Sequence, residues 1–69
     1  MDIQHKIGDR IHKLRHERGL SQEKFANLCE LDRTYIASIE QGNRNVSIVN
    51  LEKIARAFGL TLSELFEGI

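Results

Sequence analysis

SQEKFANLCELDRTYIASIEQ, residues Ser21 to Gln41, is the stretch whose reading decides the fold. It divides into two short helices with three or four residues between them. Ser21 caps the first at Gln22, and Asp32 caps the second at Arg33. The second helix places Arg33, Thr34, Tyr35 and Ser38 on one side and Ile36 and Ile39 on the other. A helix that is apolar inside and carries Arg, Thr and Ser outside suits a patterned polar surface. The DNA major groove is such a surface, wide enough for one helix and lined with donors and acceptors.

Three further helices extend this pair to an all-α chain. One runs from about Ile3 to Arg18, with Ile7, Ile11 and Leu14 at helical spacing and Gly19 as its stop. In the pair itself, Phe25, Ala26 and Leu28 are expected to face inward, and Gly42 closes the second helix at Glu40. The polar loop Asn43-Arg44-Asn45 follows. Ser47 caps a fourth helix reaching Phe58, with Ile48, Leu51, Ile54, Ala55 and Phe58 inside. Thr61 and Glu64 form a T-x-x-E capping box for a fifth helix carrying Leu62, Leu65, Phe66 and Ile69.

Composition narrows the possibilities. The chain has 69 residues, the size of one domain, with no linker, repeat or part left over for ligand sensing. A chain this small buries roughly 60% of its unfolded surface, so association with a second copy would add needed stability. A single cysteine excludes an internal disulfide and suits a reducing cytoplasm. No membrane span or leader is expected. Net charge is zero. Residues 1–20 carry Lys6, Arg10, Lys13, Arg15 and Arg18 against Asp2, Asp9 and Glu17, a net of +2 that the remainder cancels. DNA binding would then rest on a few placed cations and helix N-termini, not on a broad basic field.

Catalytic and metal chemistry find little support. His12 and His16 stand four apart, a chelating interval, but no third ligand shares their spacing, and both read as solvated. Cys29 reads as a small packing residue. There is no Gly-rich phosphate loop or paired-acid constellation. No enzyme activity, cofactor, metal or small-molecule ligand is expected.

The chain resembles the Cro/C1-type (XRE) helix-turn-helix family over nearly its whole length. The resemblance rests on R-G-L-S-Q at Arg18 to Gln22, Ala26, Ile36, I-E-Q-G at Ile39 to Gly42, and L-x-x-I-A-x-A-F-G-L from Leu51 to Leu60. It implies a compact five-helix, lambda-repressor-like DNA-binding domain whose second and third helices form the motif. L-D-R-T-Y-I at Leu31 to Ile36 and S-I-E-Q-G-N-R-N-V-S-I at Ser38 to Ile48 are similar, more narrowly, to restriction–modification controller proteins. Members of that group bind near-palindromic operators as dimers and time endonuclease expression.

Roles follow from the resemblance position by position. Arg33 is assigned to base reading, where arginine pairs with guanine O6 and N7. Thr34, Ser38 and Arg44 are further base-reading candidates, although Thr34 also suits simple helix-start chemistry. Gln22, Tyr35, Gln41 and Asn45 are candidates for the DNA backbone, with Tyr35 equally suited to packing. Arg15 and Glu40 are expected to form a buried structural ion pair. Leu62, Leu65, Phe66 and Ile69 exceed the needs of one short helix and are expected at a two-fold interface. The dimer would set its recognition helices about 34 Å apart, one turn of DNA. Double-stranded DNA and a second copy are the expected partners, with RNA polymerase a further candidate, in a bacterial or phage setting. A phage, plasmid or chromosomal repressor, and an antitoxin-like interaction module, are the alternatives.

One position departs from the pattern. The motif turn usually carries glycine where this chain has Glu30, because that residue often adopts a positive φ. Glu30 is therefore expected to be left-handed at a cost of roughly 1 kcal/mol or more.

Overall fold

Asp2 starts the first helix by accepting the backbone N–H of His5 at 2.9 Å. The computed structural model describes all residues from Met1 to Ile69. Its five helices are α1 (Ile3–Glu17), α2 (Gln22–Cys29), α3 (Arg33–Glu40), α4 (Ile48–Ala57) and α5 (Leu62–Leu65). No helix is long and apolar enough to cross a membrane.

Side chains read as caps in the sequence act as caps. Ser21 accepts from the N–H of Lys24, Asp32 from Thr34 and Ser47 from Asn50, at 3.0–3.1 Å. Thr61 and Glu64 exchange reciprocal bonds, the N–H of Thr61 to Glu64 Oε1 at 2.9 Å and the N–H of Glu64 to Thr61 Oγ1 at 3.1 Å.

These starts aim each helix's apolar stripe at one core. Ile7, Ile11 and Leu14 enter it from α1, Phe25, Ala26 and Cys29 from α2, and Ile36 and Ile39 from α3. Ile54, Ala55, Phe58 and Leu65 complete it. Phe25 and Phe58 stack with ring centroids 4.3 Å apart. α3 packs on α1 and α2, and α4 packs on α2 and α5.

Three expectations are corrected here. Leu28 is 57% exposed, and Cys29 occupies the inward position. The buried face of α2 passes through Phe25, Ala26 and Cys29, and at about 100° per residue Leu28 falls well to one side of it. Ile48 is 63% exposed because it precedes the buried stripe of α4, which begins at Leu51. Leu65 is wholly buried within its own chain, so it has no surface to offer a second copy. α5 is a single short turn, and Ile69 lies beyond it, 39% exposed.

Glu30 is left-handed, at φ 58° and ψ 39°, and is the one non-glycine residue with positive φ. Glu30→Gly is expected to stabilise the fold by about 0.5–1 kcal/mol, the relief of the Cβ clash less the extra entropy of glycine. A thermal melt should then shift upward by several degrees, at about 4–8 °C per kcal/mol for a domain this small. An unchanged or lower midpoint would show that the turn carries no such strain.

Candidate nucleic-acid interface

Arg33 opens α3 and is exposed. It makes no hydrogen bond or ion pair within the chain. Its neighbours, by contrast, are bound internally. Asp32 Oδ1 accepts both the N–H and the hydroxyl of Thr34 at 3.0 Å. Those two bonds, the backbone one foremost, hold the Asp32 carboxyl below the usual carboxylate range, with the charge of Arg33 adding to them. With its hydroxyl engaged in the cap, Thr34 retains its methyl group for an outside partner.

The loop after α3 folds back onto the helix. Arg44 donates from Nε to Ser38 Oγ at 3.3 Å, and its guanidinium lies 5.2 Å from the centre of the Tyr35 ring. Tyr35 is half-buried against the core, and its hydroxyl accepts from Asn50 Nδ2 at 3.1 Å. This arrangement favours the packing role for Tyr35 and leaves Arg44 poised over α3. Gln41 caps α3 and accepts from Asn43 Nδ2 at 3.3 Å, while Asn45 is exposed.

At the C-terminal end of α3, Glu40 is the centre of a polar cluster. Arg15 donates from Nε to Glu40 Oε2 at 2.7 Å and from Nη2 to Oε1 at 2.9 Å. Its third donor, Nη1, reaches the carbonyl of Leu20 at 2.8 Å. Gln22 donates to Glu40 Oε1 at 3.3 Å, and His12 Nδ1 lies 2.9 Å from the same oxygen. The Glu40 and Arg15 side chains are only 4% and 9% exposed. Burial alone would raise the Glu40 pKa, but the bonds from Arg15, His12 and Gln22 outweigh it and hold the group below its ordinary value. The same pairing raises Arg15.

The arginines of α1 and of its C-cap are committed inside the molecule. Arg10 donates to the carbonyls of Leu65 and Glu64 at 3.0 and 2.9 Å, completing the end of α5. Arg18 reaches the carbonyl of Phe58 at 3.3 Å, with its guanidinium 4.9 Å from the centre of that ring. Both sit where a helix C-terminus favours positive charge. Cys29 is buried, and loss of solvent pushes its thiol up to about 12, so it is protonated and inert as a nucleophile at neutral pH.

Comparison with known proteins agrees with this geometry. A helix-turn-helix family model matches residues 11–65. The chain is 58% identical over 69 residues to the control protein C.MunI of a Mycoplasma species, covering 99% of this chain and 93% of the relative. It superposes on the restriction–modification controller protein C.AhdI from Aeromonas hydrophila with a TM-score of 0.88 and 48% identity, covering 91% of this chain and 96% of that one. The chain belongs to the helix-turn-helix family of restriction–modification controller proteins. A further match is the controller protein C.Esp1396I, solved as a tetramer in complex with its natural 35-base-pair operator. There the TM-score is 0.89 and the identity 37%, covering 97% of this chain and 88% of that one.

Within this controller domain, the structure brings together some residues that sequence reasoning kept apart. His12 was expected in solvent, yet it joins Arg15 and Gln22 on Glu40. Its rings share a face with His16, 4.4 Å between centroids. Asn50 has no local signal for its bond to Tyr35, fifteen positions earlier. Gly8 lies inside α1 against the last turn of α3, where a side chain would strike the carbonyl of Ile39.

Proposed function

We propose that this controller protein binds a near-palindromic operator through α3 and regulates transcription of its own gene and of a partner endonuclease. The observation that supports this reading best is Arg33. It is a free guanidinium at the first position of a helix whose other end is braced by Glu40 and Arg15. A rigid helix with one uncommitted arginine at its tip is suited to reading guanine. Thr34, Ser38 and Arg44 add shorter-range contacts, and Gln22, Gln41 and Asn45 hold the backbone, while Tyr35 packs behind them. The chain acts as a homodimer in the cytoplasm. Leu62 and Phe66, half-buried, and Ile69 contribute to the dimer surface, while the exposed Ile48 and Val49 of α4 replace the buried Leu65 there. With protein concentration as the input, dimerisation and operator occupancy together give a threshold response.

Gel-shift titration and footprinting on the DNA upstream of its own coding sequence test the reading. Specific protection of a palindromic site is expected. Arg33→Ala should weaken binding to that site by about 1–3 kcal/mol while leaving random-sequence DNA nearly unaffected. Equal losses on both would make Arg33 a phosphate contact, and equal wild-type affinity for both would remove the operator reading.

A further inference from the structure

His12 occupies an unusual position for an exposed histidine. Its Nδ1 is 2.9 Å from Glu40 Oε1, a carboxylate oxygen that can only accept, so Nδ1 carries the hydrogen and donates. The 3.3 Å approach of Arg15 Nη2 to the same Nδ1 is then two donors converging on one carboxylate, not a bond between them. This fixes the ring and its tautomer. Nε2 is left without a partner in the chain, on a side chain 53% exposed. It is an acceptor when the ring is neutral and a donor when the ring is charged.

The ring borders a shallow depression where α1, the start of α2 and the end of α3 meet, lined by Asp9, His12, Gln22, Ala37, Glu40 and Gln41. Two of these, Gln22 and Gln41, are the side chains assigned above to the DNA backbone. We infer that His12 is a third backbone contact on this surface, one that takes a DNA phosphate on Nε2 only when its ring is protonated. The inference rests on the assignment of Gln22 and Gln41.

The charges facing His12 set the sign. From α1 these are Asp9, Arg15 and the ring of His16, and from α3 Glu40, while α2 contributes only the neutral Gln22. Arg15 balances Glu40 in a bidentate pair, and Asp9 also borders a neighbouring depression lined by Lys6, Arg10 and Lys13. A neutral His12 offers phosphate only an acceptor at Nε2. A proton on His12 adds a positive charge and a donor there. A charged ring binds phosphate where a neutral one cannot donate to it, so binding strengthens as pH falls. Each phosphate contact adds about one unit to the slope of log affinity against log salt.

Fluorescence-anisotropy titrations between pH 6 and 8, with full-length protein, test this. The probes are a duplex from upstream of the coding sequence and a random-sequence duplex of equal length. Wild type is expected to bind both about three- to tenfold more tightly at pH 6, with a salt slope steeper by about two there than at pH 8, one for each protomer of the bound dimer. His12→Gln should hold the weak, pH 8 behaviour throughout, and His12→Lys the tight behaviour throughout. His16→Gln should retain the wild-type profile. A wild type flat in pH, or a His12→Gln variant with the wild-type profile, overturns the inference and leaves operator binding standing. A pH response lost in His12→Gln, but with equal affinity for both duplexes, supports the inference and removes the operator reading.

Discussion

Glu40→Ala is expected to cost the fold about 3–5 kcal/mol, because it strands the Arg15 guanidinium in the interior without its counter-charge. A chain of 69 residues holds only about 3–10 kcal/mol in all, at roughly 0.05–0.15 kcal/mol per residue. The variant should therefore lose about half or more of its stability, with a much lower urea midpoint. Arg15 would keep its bond to the Leu20 carbonyl but lose both bonds to the carboxylate, and Gln22 and His12 would lose their shared acceptor. Replacing both partners with apolar residues, as in Arg15→Met with Glu40→Leu, should be milder than Glu40→Ala alone, since no charge is then left buried. The same pair governs acid sensitivity. Glu40 is held below its unfolded pKa, so its contribution is present above the unfolded value and is lost as pH falls through the folded one. Unfolding should set in below about pH 4, where an unfolded glutamate takes up its proton. Urea titrations of the two variants, and of wild type against pH, provide the check. A loss under about 1 kcal/mol for Glu40→Ala would mean that the pair behaves as a surface ion pair.

How far these features could be foreseen depends on how local their causes are. Ser21, Asp32, Ser47 and Thr61 act within three residues of themselves, so the helix starts were legible from the chain. The left-handed Glu30 was legible for a related reason, since the turn geometry of the motif fixes that position. Periodicity was less decisive where two adjacent stripes compete. It could not choose between Leu28 and Cys29, or say that Leu65 turns into its own core instead of toward a second copy. The long-range bonds left no trace in the sequence. Arg10 reaches Leu65 across 55 positions, Arg18 reaches Phe58 across 40 and His12 reaches Glu40 across 28. Charge counting alone could not show that Arg10 and Arg18 are committed to backbone carbonyls. The family pattern supplied the link between Arg15 and Glu40, but it carried no information on the histidine beside them.

Gly8→Ala is expected to destabilise the fold by about 2–3 kcal/mol, against the direction that helix propensity alone would give. Alanine in a helix interior is favoured over glycine by about 1 kcal/mol. Gly8, however, is buried where α1 crosses the end of α3. A Cβ there would overlap the backbone oxygen of Ile39 and stand 3.1 Å from that of Glu40. Neither oxygen is the end of a flexible side chain, so α1 and α3 must separate to admit the methyl group, and overpacking of this kind costs about 1–3 kcal/mol or more. The separation also stretches the bond set that Arg15, two turns further along α1, makes to Glu40, which places the net loss at the upper end of that range. Gly8→Val should cost more again, through two added carbons and a β-branch in the same gap. Since α3 carries Arg33, the folded fraction of Gly8→Ala should also bind the upstream duplex more weakly. Urea melts of the two variants beside wild type, with anisotropy titrations at matched folded fraction, measure both effects. An alanine variant as stable as wild type or more so would show that propensity wins and that the α1–α3 contact yields without strain.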